Sequence, residues 1–226
     1  MRSDADSTCW SVIGRAAAGS QADRESFVHR YRPVIRAYLG TRWRSPALRA
    51  LIDDATQDVF FECFRPDGVL AHANPGRVGG FRPFLFGVVL NISRRIERKH
   101  FRQRELTPAG DVELDGLASS DETQSAIWDR EWAKALVHKA AKLAADSKSG
   151  GARRAELLRL RFFEGLPIRD IAQRWQVDPA HLHQDYAKAR KEFIQSFRTL
   201  VADHNGGSAD EIDAYSRRLL DILRHR

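Results

Sequence analysis

Three carboxylates recur at intervals of four residues in the stretch LIDDATQDVFFECF, residues 51–64: Asp54, Asp58 and Glu62. In a helix, this spacing places all three side chains on one side. Such a cluster could hold a divalent metal ion, as in a nuclease, but no His and no further converging carboxylate accompanies it. Like charges at this spacing repel each other, and a basic protein partner would relieve that repulsion. A protein-binding surface and a merely solvated acidic face therefore both remain open.

The histidines and cysteines do not form a recognisable metal site. His181 and His183 are two residues apart in a predicted helix, so their side chains diverge by about 200° and cannot share an ion. Cys9 and Cys63 lack the CxxC spacing of a zinc site and do not suggest a disulfide framework, which fits a reducing cytoplasm. The sequence predicts no catalytic residue, no metal and no cofactor.

A helix with two different faces is predicted for FRPFLFGVVLNISRRIERKHFRQR, residues 81–104. Apolar residues at steps of four, three and four line one face: Leu85, Val89, Ile92 and Ile96. A polar and basic set lines the opposite face: Asn91, Arg95, Arg98 and Arg102. Residues 94–104 contain six Lys or Arg and one Glu. Charge of one sign favours a polyanion partner over a solvated face, and Asn can bind a base edge or a phosphate.

Two helices joined by a short turn are predicted within RFFEGLPIRDIAQRWQVDPAHLHQDYAKARKEF, residues 161–193. Gly165 ends the preceding helix and Pro167 suits the start of the next, while Asp178 and Pro179 suit the cap and first residue of the longer helix. This order predicts a helix-turn-helix unit that binds DNA, against the alternative of a helical hairpin with one charged arm. The positions that would face a major groove come early in the second helix: Ala180, His181, His183 and Gln184.

The remaining sequence indicates an all-α protein of two helical domains. Its 226 residues carry a net charge of +7, which suits a nucleic-acid partner. Residues 105–124 contain six acidic residues and no Lys or Arg, a composition typical of a flexible linker. The predicted divisions are a first domain, the linker, a second domain and a C-terminal helical extension: 1–104, 105–124, 125–204 and 205–226. Neither a signal segment nor a membrane span is indicated, so a cytoplasmic location is expected.

Three segments together resemble the extracytoplasmic-function sigma factors of bacterial RNA polymerase. They are DDATQDVFFECFR, FRPFLFGVVLNISRR and LLRLRFFEGLPIRDIAQRWQVDPAHLHQDYAKARKEF, in this order and at the family's spacing. The resemblance covers about residues 10–104 and 125–200. It implies a subunit that binds core polymerase at the β′ clamp helices and the β flap, recognises promoter DNA and helps to melt it.

The resemblance also implies roles for individual residues. Polymerase binding would involve Asp53, Asp54, Gln57 and Asp58. The minus-ten element would be bound by Asn91, Arg94, Arg95, Arg98, Lys99 and Arg102, with loop 65–80 trapping an unstacked base. The minus-thirty-five element would be bound by Arg169, Ala180, His181, His183 and Gln184, with Lys188, Arg190 and Lys191 on phosphates. Whether an anti-sigma protein regulates the chain stays open.

Five positions depart from the family pattern. Gln176 stands where a Gly is common in the turn, and a left-handed Gln would cost about 1–2 kcal/mol. Phe84 replaces a common Trp, and Arg95 replaces an Asp of many relatives. His183 and Asp185 replace the usual Lys and Arg, which predicts weak or unusual minus-thirty-five recognition.

Two other functions compete with this interpretation. One is a sigma-like helix-turn-helix regulator that binds DNA without initiating transcription, and the other is a metal nuclease. The last helix lies outside the resemblance and begins at a capping box formed by Ser208 and Glu211. It could pack on the second domain, bind a regulator or self-associate.

Overall fold

The described part of the protein is helical. The structure, a computed structural model, describes residues 9–74, 80–105, 121–146, 150–162, 164–205 and 208–224. These residues contain ten α-helices and no strand: α1 Cys9–Ala17, α2 Gln21–Arg42, α3 Pro46–Arg49, α4 Ile52–Phe64, α5 Phe81–Glu105, α6 Asp121–Asp146, α7 Gly151–Phe162, α8 Ile168–Trp175, α9 Pro179–Asn205 and α10 Ala209–Arg224. The all-α prediction is confirmed. A short 3₁₀ helix, Val69–His72, follows α4.

Contacts between Cα atoms divide the chain into two compact units. Unit 1 comprises residues 1–133, 203–206 and 219–226, and unit 2 comprises residues 134–202 and 207–218. The limits of the units therefore fall within α6, α9 and α10.

Unit 1 is built around aromatic side chains of α2. The break between α1 and α2 falls at Gly19, whose φ of 98° is a backbone conformation that favours glycine. Ser20 then caps α2 by accepting a hydrogen bond from the Asp23 amide. Phe27 and Tyr31 are almost fully buried, and their ring centroids lie 4.6 Å apart. The aromatic core holds the helices that carry the acidic and basic residues of interest.

A buried ion pair joins α2 to α5. Arg42 donates two hydrogen bonds to Glu97, at 2.7 and 2.9 Å, and the Trp43 indole N–H donates to the same carboxylate at 2.7 Å. Both charged side chains are almost fully buried. Glu97, the one acid among the basic residues 94–104, therefore faces the core, and all its charge is matched within unit 1.

The first turns of α6 belong to unit 1. Residues 121–124, which the composition assigns to the linker, are helical, and residues 106–120 lie outside the described part. The Tyr38 hydroxyl donates to the Gln124 side chain at 3.1 Å, and Trp128 is buried with its ring 5.5 Å from that of Tyr38. These contacts explain why α6 begins earlier than the acidic composition predicts.

Unit 2 contains the predicted helix-turn-helix as α8 and α9. Six buried residues form its core: Leu157, Leu160, Ile168, Ile171, Ala172 and Leu182. Gln176 ends α8 in the left-handed conformation, with φ 53° and ψ 47°. Asp178 caps α9 by accepting a hydrogen bond from the His181 amide at 3.0 Å.

The capping box of α10 is present as predicted. The Ser208 amide donates to the Glu211 carboxylate at 2.8 Å, and the Glu211 amide donates back to the Ser208 hydroxyl at 3.4 Å. In unit 2, Asp213 of α10 forms an ion pair with Arg198 of α9 at 2.6 Å.

Candidate nucleic-acid interface

The solvent side of α4 combines acidic side chains with an exposed aromatic ring. We define the α4 acidic surface as Asp54, Gln57, Asp58, Phe61 and Glu62. Ala55, Val59 and Cys63 lie on the opposite side and are buried. Phe61 is 70% exposed, more than any other large hydrophobic residue in the described part of the chain. Aromatic residues are enriched in protein–protein interfaces relative to the rest of the surface.

Phe61 was not among the residues predicted for this surface. Adjacent residues on a helix point in directions about 100° apart, and residues two apart diverge by about 200°. Since Val59 faces the core, Phe61 has to point outward. Of the two adjacent phenylalanines, Phe60 and Phe61, the helical spacing from Val59 therefore predicts that Phe61 is the exposed one.

Asp53 does not share the environment of Asp54 and Asp58. Its carboxylate contacts Arg36 of α2 and lies 3.5 Å from Arg32 of the same helix. Asp54 is exposed and points about 100° away from Asp53 around the helix. The structure thus brings Asp54, Gln57 and Asp58 together and turns Asp53 towards α2.

The outer side of α5 is polar and basic, as predicted. We define the α5 basic surface as Asn91, Arg95, Arg98, Lys99 and Arg102, all of which are exposed. Leu85, Val89 and Ile92 are buried on the inner side. Arg94, the remaining predicted minus-ten residue, is half-buried.

The α4 acidic surface and the α5 basic surface touch each other at one ion pair. Arg95 Nη2 lies 3.0 Å from Asp58 Oδ2, and both side chains are about half exposed. The two surfaces therefore form one continuous region of unit 1 with a negative part and a positive part. The loop predicted to trap a base follows α4, and its residues 75–79 lie outside the described residues.

The predicted minus-thirty-five residues lie on the solvent side of unit 2. All seven predicted residues of α9 are exposed: Ala180, His181, His183, Gln184, Lys188, Arg190 and Lys191. Arg169 of α8 is also exposed, and its guanidinium lies 3.1 Å from the carboxylate of the neighbouring Asp170. The helix-turn-helix core fixes the direction of α9, since Leu182 is buried in it and Tyr186 packs against it.

Arginine–glutamate ion pairs occur within unit 2. Arg154 of α7 binds Glu192 of α9 at 2.9 Å, and both side chains are largely buried. Arg159 contacts both Glu156 and Glu164, and its hydrogen bonds to Glu156 lower the pKa of that carboxyl. These acids are matched by arginines of their own unit.

The two cysteine thiols are unsuited to nucleophilic chemistry. Burial raises the pKa of the Cys63 thiol to about 12. Burial also raises the pKa of Cys9, whose sulfur lies 2.8 Å from the Tyr31 hydroxyl. Both groups are therefore protonated thiols at neutral pH.

The described residues do not assemble a metal site. No group of three or more His, Cys, Asp or Glu side chains there could hold a metal ion. The carboxylates Asp54, Asp58 and Glu62 thus do not converge with a further ligand.

In the described part of the chain, every helix is too short or too polar to cross a membrane. Comparison of the sequence with protein-family models gives no match. A search among curated proteins likewise finds no significant match.

Proposed function

We propose that this chain is a sigma factor of the extracytoplasmic-function type, which binds core RNA polymerase and directs it to promoter DNA. The proposal rests on the sequence resemblance and on three surfaces: the α4 acidic surface, the α5 basic surface and the exposed side of α9. Each has the chemistry that its proposed partner requires. Such a protein works in the bacterial cytoplasm.

The α4 acidic surface is the observation that carries the proposal. A repressor needs only a surface for DNA, and carboxylates repel DNA phosphates. Asp54 and Asp58 beside the 70% exposed Phe61 instead suit a basic protein partner with an apolar pocket. In the proposal this partner is the pair of clamp helices of the polymerase β′ subunit.

The α5 basic surface supplies the proposed minus-ten contacts. Arg98, Lys99 and Arg102 are exposed and lie along one side of α5. They would hold the phosphates of the non-template strand, and Asn91 would hydrogen-bond a base or phosphate. Opening the duplex costs stacking energy, and contacts made only to the open strand offset that cost.

The decisive experiment reverses charge on the α4 acidic surface. The double variant Asp54→Lys, Asp58→Lys is compared with the wild-type chain for binding to purified core polymerase and for run-off transcription. The matched control reverses two exposed acids elsewhere, Glu25→Lys and Asp210→Lys. We expect the α4 variant to lose at least about hundredfold in polymerase affinity, because like charges then face each other. The control should bind as the wild type does.

Two results would contradict the proposal. A wild-type chain that does not bind core polymerase at low salt excludes a sigma factor. A wild-type chain that binds a specific DNA sequence without polymerase, with the α4 double variant unchanged in that binding, supports the sigma-like regulator instead.

A further inference from the structure

The chain leaves α4 through a tight turn. Residues 65–68 follow α4 directly, and the Gly68 amide donates a hydrogen bond to the Arg65 carbonyl at 2.8 Å. Asp67 has a positive φ of 53°, a backbone conformation that is rare for a residue with a Cβ atom. Such a conformation persists only where the surrounding structure holds it. We call residues 65–68 the α4 exit turn.

The α4 exit turn packs closely against the end of α4 at Gly68. A Cβ atom at this position would lie 2.7 Å from the carbonyl oxygens of Arg65 and Cys63 and 2.8 Å from that of Glu62. Since all three oxygens belong to the backbone, a larger residue has to push the turn away from α4. Leu70, in the 3₁₀ helix that follows, is buried and anchors the next part of the chain in unit 1.

The side chain of Arg24, in α2, reaches the start of this turn. Its Nε donates to the Ala16 carbonyl in the last turn of α1 at 3.0 Å, and its Nη2 donates to the Phe64 carbonyl at the end of α4 at 3.2 Å. The guanidinium carbon also lies 5.3 Å from the centroid of the Phe64 ring. A planar guanidinium can make these contacts together because its N–H donors point in fixed directions. Arg24 therefore ties the ends of α1 and α4 to α2.

The charge of Arg24 suits a place where two helices end. The last carbonyls of a helix carry partial negative charge and lack partners within the helix. Here carbonyls from the ends of α1 and α4 share one cation, which compensates both partial charges. The Phe64 ring also stacks on Phe60, with centroids 6.2 Å apart, and meets Phe27 at 5.4 Å. The end of α4 is thus held by the aromatic core on one side and by Arg24 on the other.

We propose that Arg24 is a positioning residue for promoter opening, because it fixes the α4 exit turn and so sets the direction in which the following loop leaves α4. The inference rests on the proposed function, in which loop 65–80 traps an unstacked base. A loop that is ordered before the base arrives binds it more tightly, since no further ordering is then needed. Arg24 is half-buried and bonded to backbone carbonyls, so its action on DNA is indirect.

The first experiment compares promoter opening with promoter binding, using the full-length chain and core polymerase. Arg24→Met keeps a long side chain but removes the charge and both hydrogen bonds. We expect about tenfold fewer open complexes, measured by permanganate footprinting, while the affinities for polymerase and for closed promoter DNA stay within about twofold of wild type. Equal losses in opening and in binding would overturn the inference.

Arg15→Met is the matched control for this experiment. Arg15 lies at the same junction of α1 and α2, but its guanidinium binds the Asp23 carboxylate at 2.8 Å. Its removal should leave promoter opening at the wild-type level. If Arg15→Met impairs opening as much as Arg24→Met does, the effect belongs to the junction in general and the role assigned to Arg24 is wrong.

Arg24→Lys separates the position of the donors from the charge. Lysine keeps the cation, but a single ammonium does not reproduce the two divergent donors of the guanidinium. We therefore expect Arg24→Lys to recover little of the opening that Arg24→Met loses. Full recovery would show that the charge alone matters, as in a direct contact with DNA, and would exclude the positioning role.

Gly68→Ala displaces the same turn by a different route. It should reduce promoter opening as Arg24→Met does, because its Cβ atom meets the backbone carbonyls at the end of α4. The double variant should be no worse than the more severe single variant, since both changes release one turn. Effects that multiply in the double variant would mean that the two residues act independently, which contradicts the inference.

Hydrogen exchange tests the structural part of the inference without polymerase. Arg24→Met should speed exchange about tenfold at three amides that donate hydrogen bonds in and after the exit turn, those of Gly68, Ala71 and Ala73. Amides in the middle of α2 and α5 should keep their wild-type protection, as should all of these amides in Arg15→Met. Faster exchange throughout unit 1 would show a general loss of stability and overturn the positioning role.

Failure of the proposed function is distinguishable from failure of this inference. If the wild-type chain does not bind core polymerase, the proposed function fails, and the exchange experiment alone decides whether Arg24 fixes the exit turn. If the wild-type chain opens promoters and Arg24→Met opens them equally well, the inference fails and the proposed function stands.

Discussion

Arg95 of α5 and Asp58 of α4 form an ion pair with a separation of 3.0 Å, across 37 residues of sequence. The pair joins the α4 acidic surface to the α5 basic surface. Because both side chains are about half exposed, water and salt weaken the attraction. The pair therefore sets the local arrangement of charges more than the stability of unit 1.

A double-mutant cycle will measure this pair. Arg95→Ala, Asp58→Ala and the double variant are compared by urea unfolding, and we expect a coupling free energy of about 0.2–1 kcal/mol at low salt. The coupling should fall towards zero at 1 M salt. A parallel cycle between Arg98 and Asp58 serves as control and should give none. Equal coupling in both cycles would show that the contact is not specific.

Removing one partner of the buried Arg42–Glu97 pair will destabilise unit 1. Glu97→Gln leaves the buried Arg42 guanidinium without a counter-charge, and we expect a loss of about 3–5 kcal/mol in the free energy of unfolding. Urea unfolding followed by circular dichroism measures it. Glu62→Gln is the matched control, because Glu62 pairs with Arg65 at 2.7 Å at the surface. It should change the free energy of unfolding by less than about 1 kcal/mol. A small effect of Glu97→Gln would mean that water reaches the pair.

Glycine in the turn of the helix-turn-helix will stabilise unit 2. Gln176 has a positive φ of 53°, a conformation that is costly for a residue with a Cβ atom. Gln176→Gly should therefore raise the free energy of unfolding by about 1 kcal/mol. In the interior of α8, Gln173→Gly should lower it by about 1 kcal/mol. The same sign for both substitutions would contradict the left-handed turn.

Neither cysteine will react with a thiol reagent while the chain is folded. Burial raises the pKa of the Cys63 thiol to about 12, from 9.0 for a solvent-exposed thiol in the unfolded chain. Any stability that depends on the protonated thiol is thus present below pH 9 and is lost as the pH rises towards about 12. Colorimetric titration at pH 8 should detect both thiols only in denaturant. Rapid labelling of the folded chain would contradict their burial.

Under the proposed function, Asn91→Ala and Arg98→Ala will impair promoter opening more than promoter binding. Both side chains are exposed on the α5 basic surface and are assigned to the separated strand. Permanganate footprinting measures open complexes, and gel mobility at low temperature measures closed ones. Arg217→Ala, an exposed residue of α10, is the control. Equal losses in both complexes would contradict strand capture.

The secondary structure was predictable where it depends on local signals. The Asp178 cap and the Ser208–Glu211 capping box each follow from residue types within a few positions. Helical periodicity also predicted which sides of α4, α5 and α9 are exposed, because a regular helix fixes the direction of every side chain.

The start of α6 was not predictable in the same way. The acidic residues around positions 121 and 122 suggested a linker, yet Gln124 and Trp128 are buried against Tyr38. The composition of a segment describes its residues only on average. It cannot show that Gln124 forms a buried hydrogen bond with Tyr38, which lies 86 positions away in the sequence. Packing against α2 overrides the local preference.

The amino-acid sequence by itself determined the helices, their caps and the charge of each exposed side. Only the tertiary structure decided which charges are matched: Asp53 faces α2, Glu97 is buried on Arg42, and Asp58 meets Arg95. The reason is physical. Helix geometry is set by hydrogen bonds between residues four apart, whereas the partner of a charge depends on which helix packs beside it.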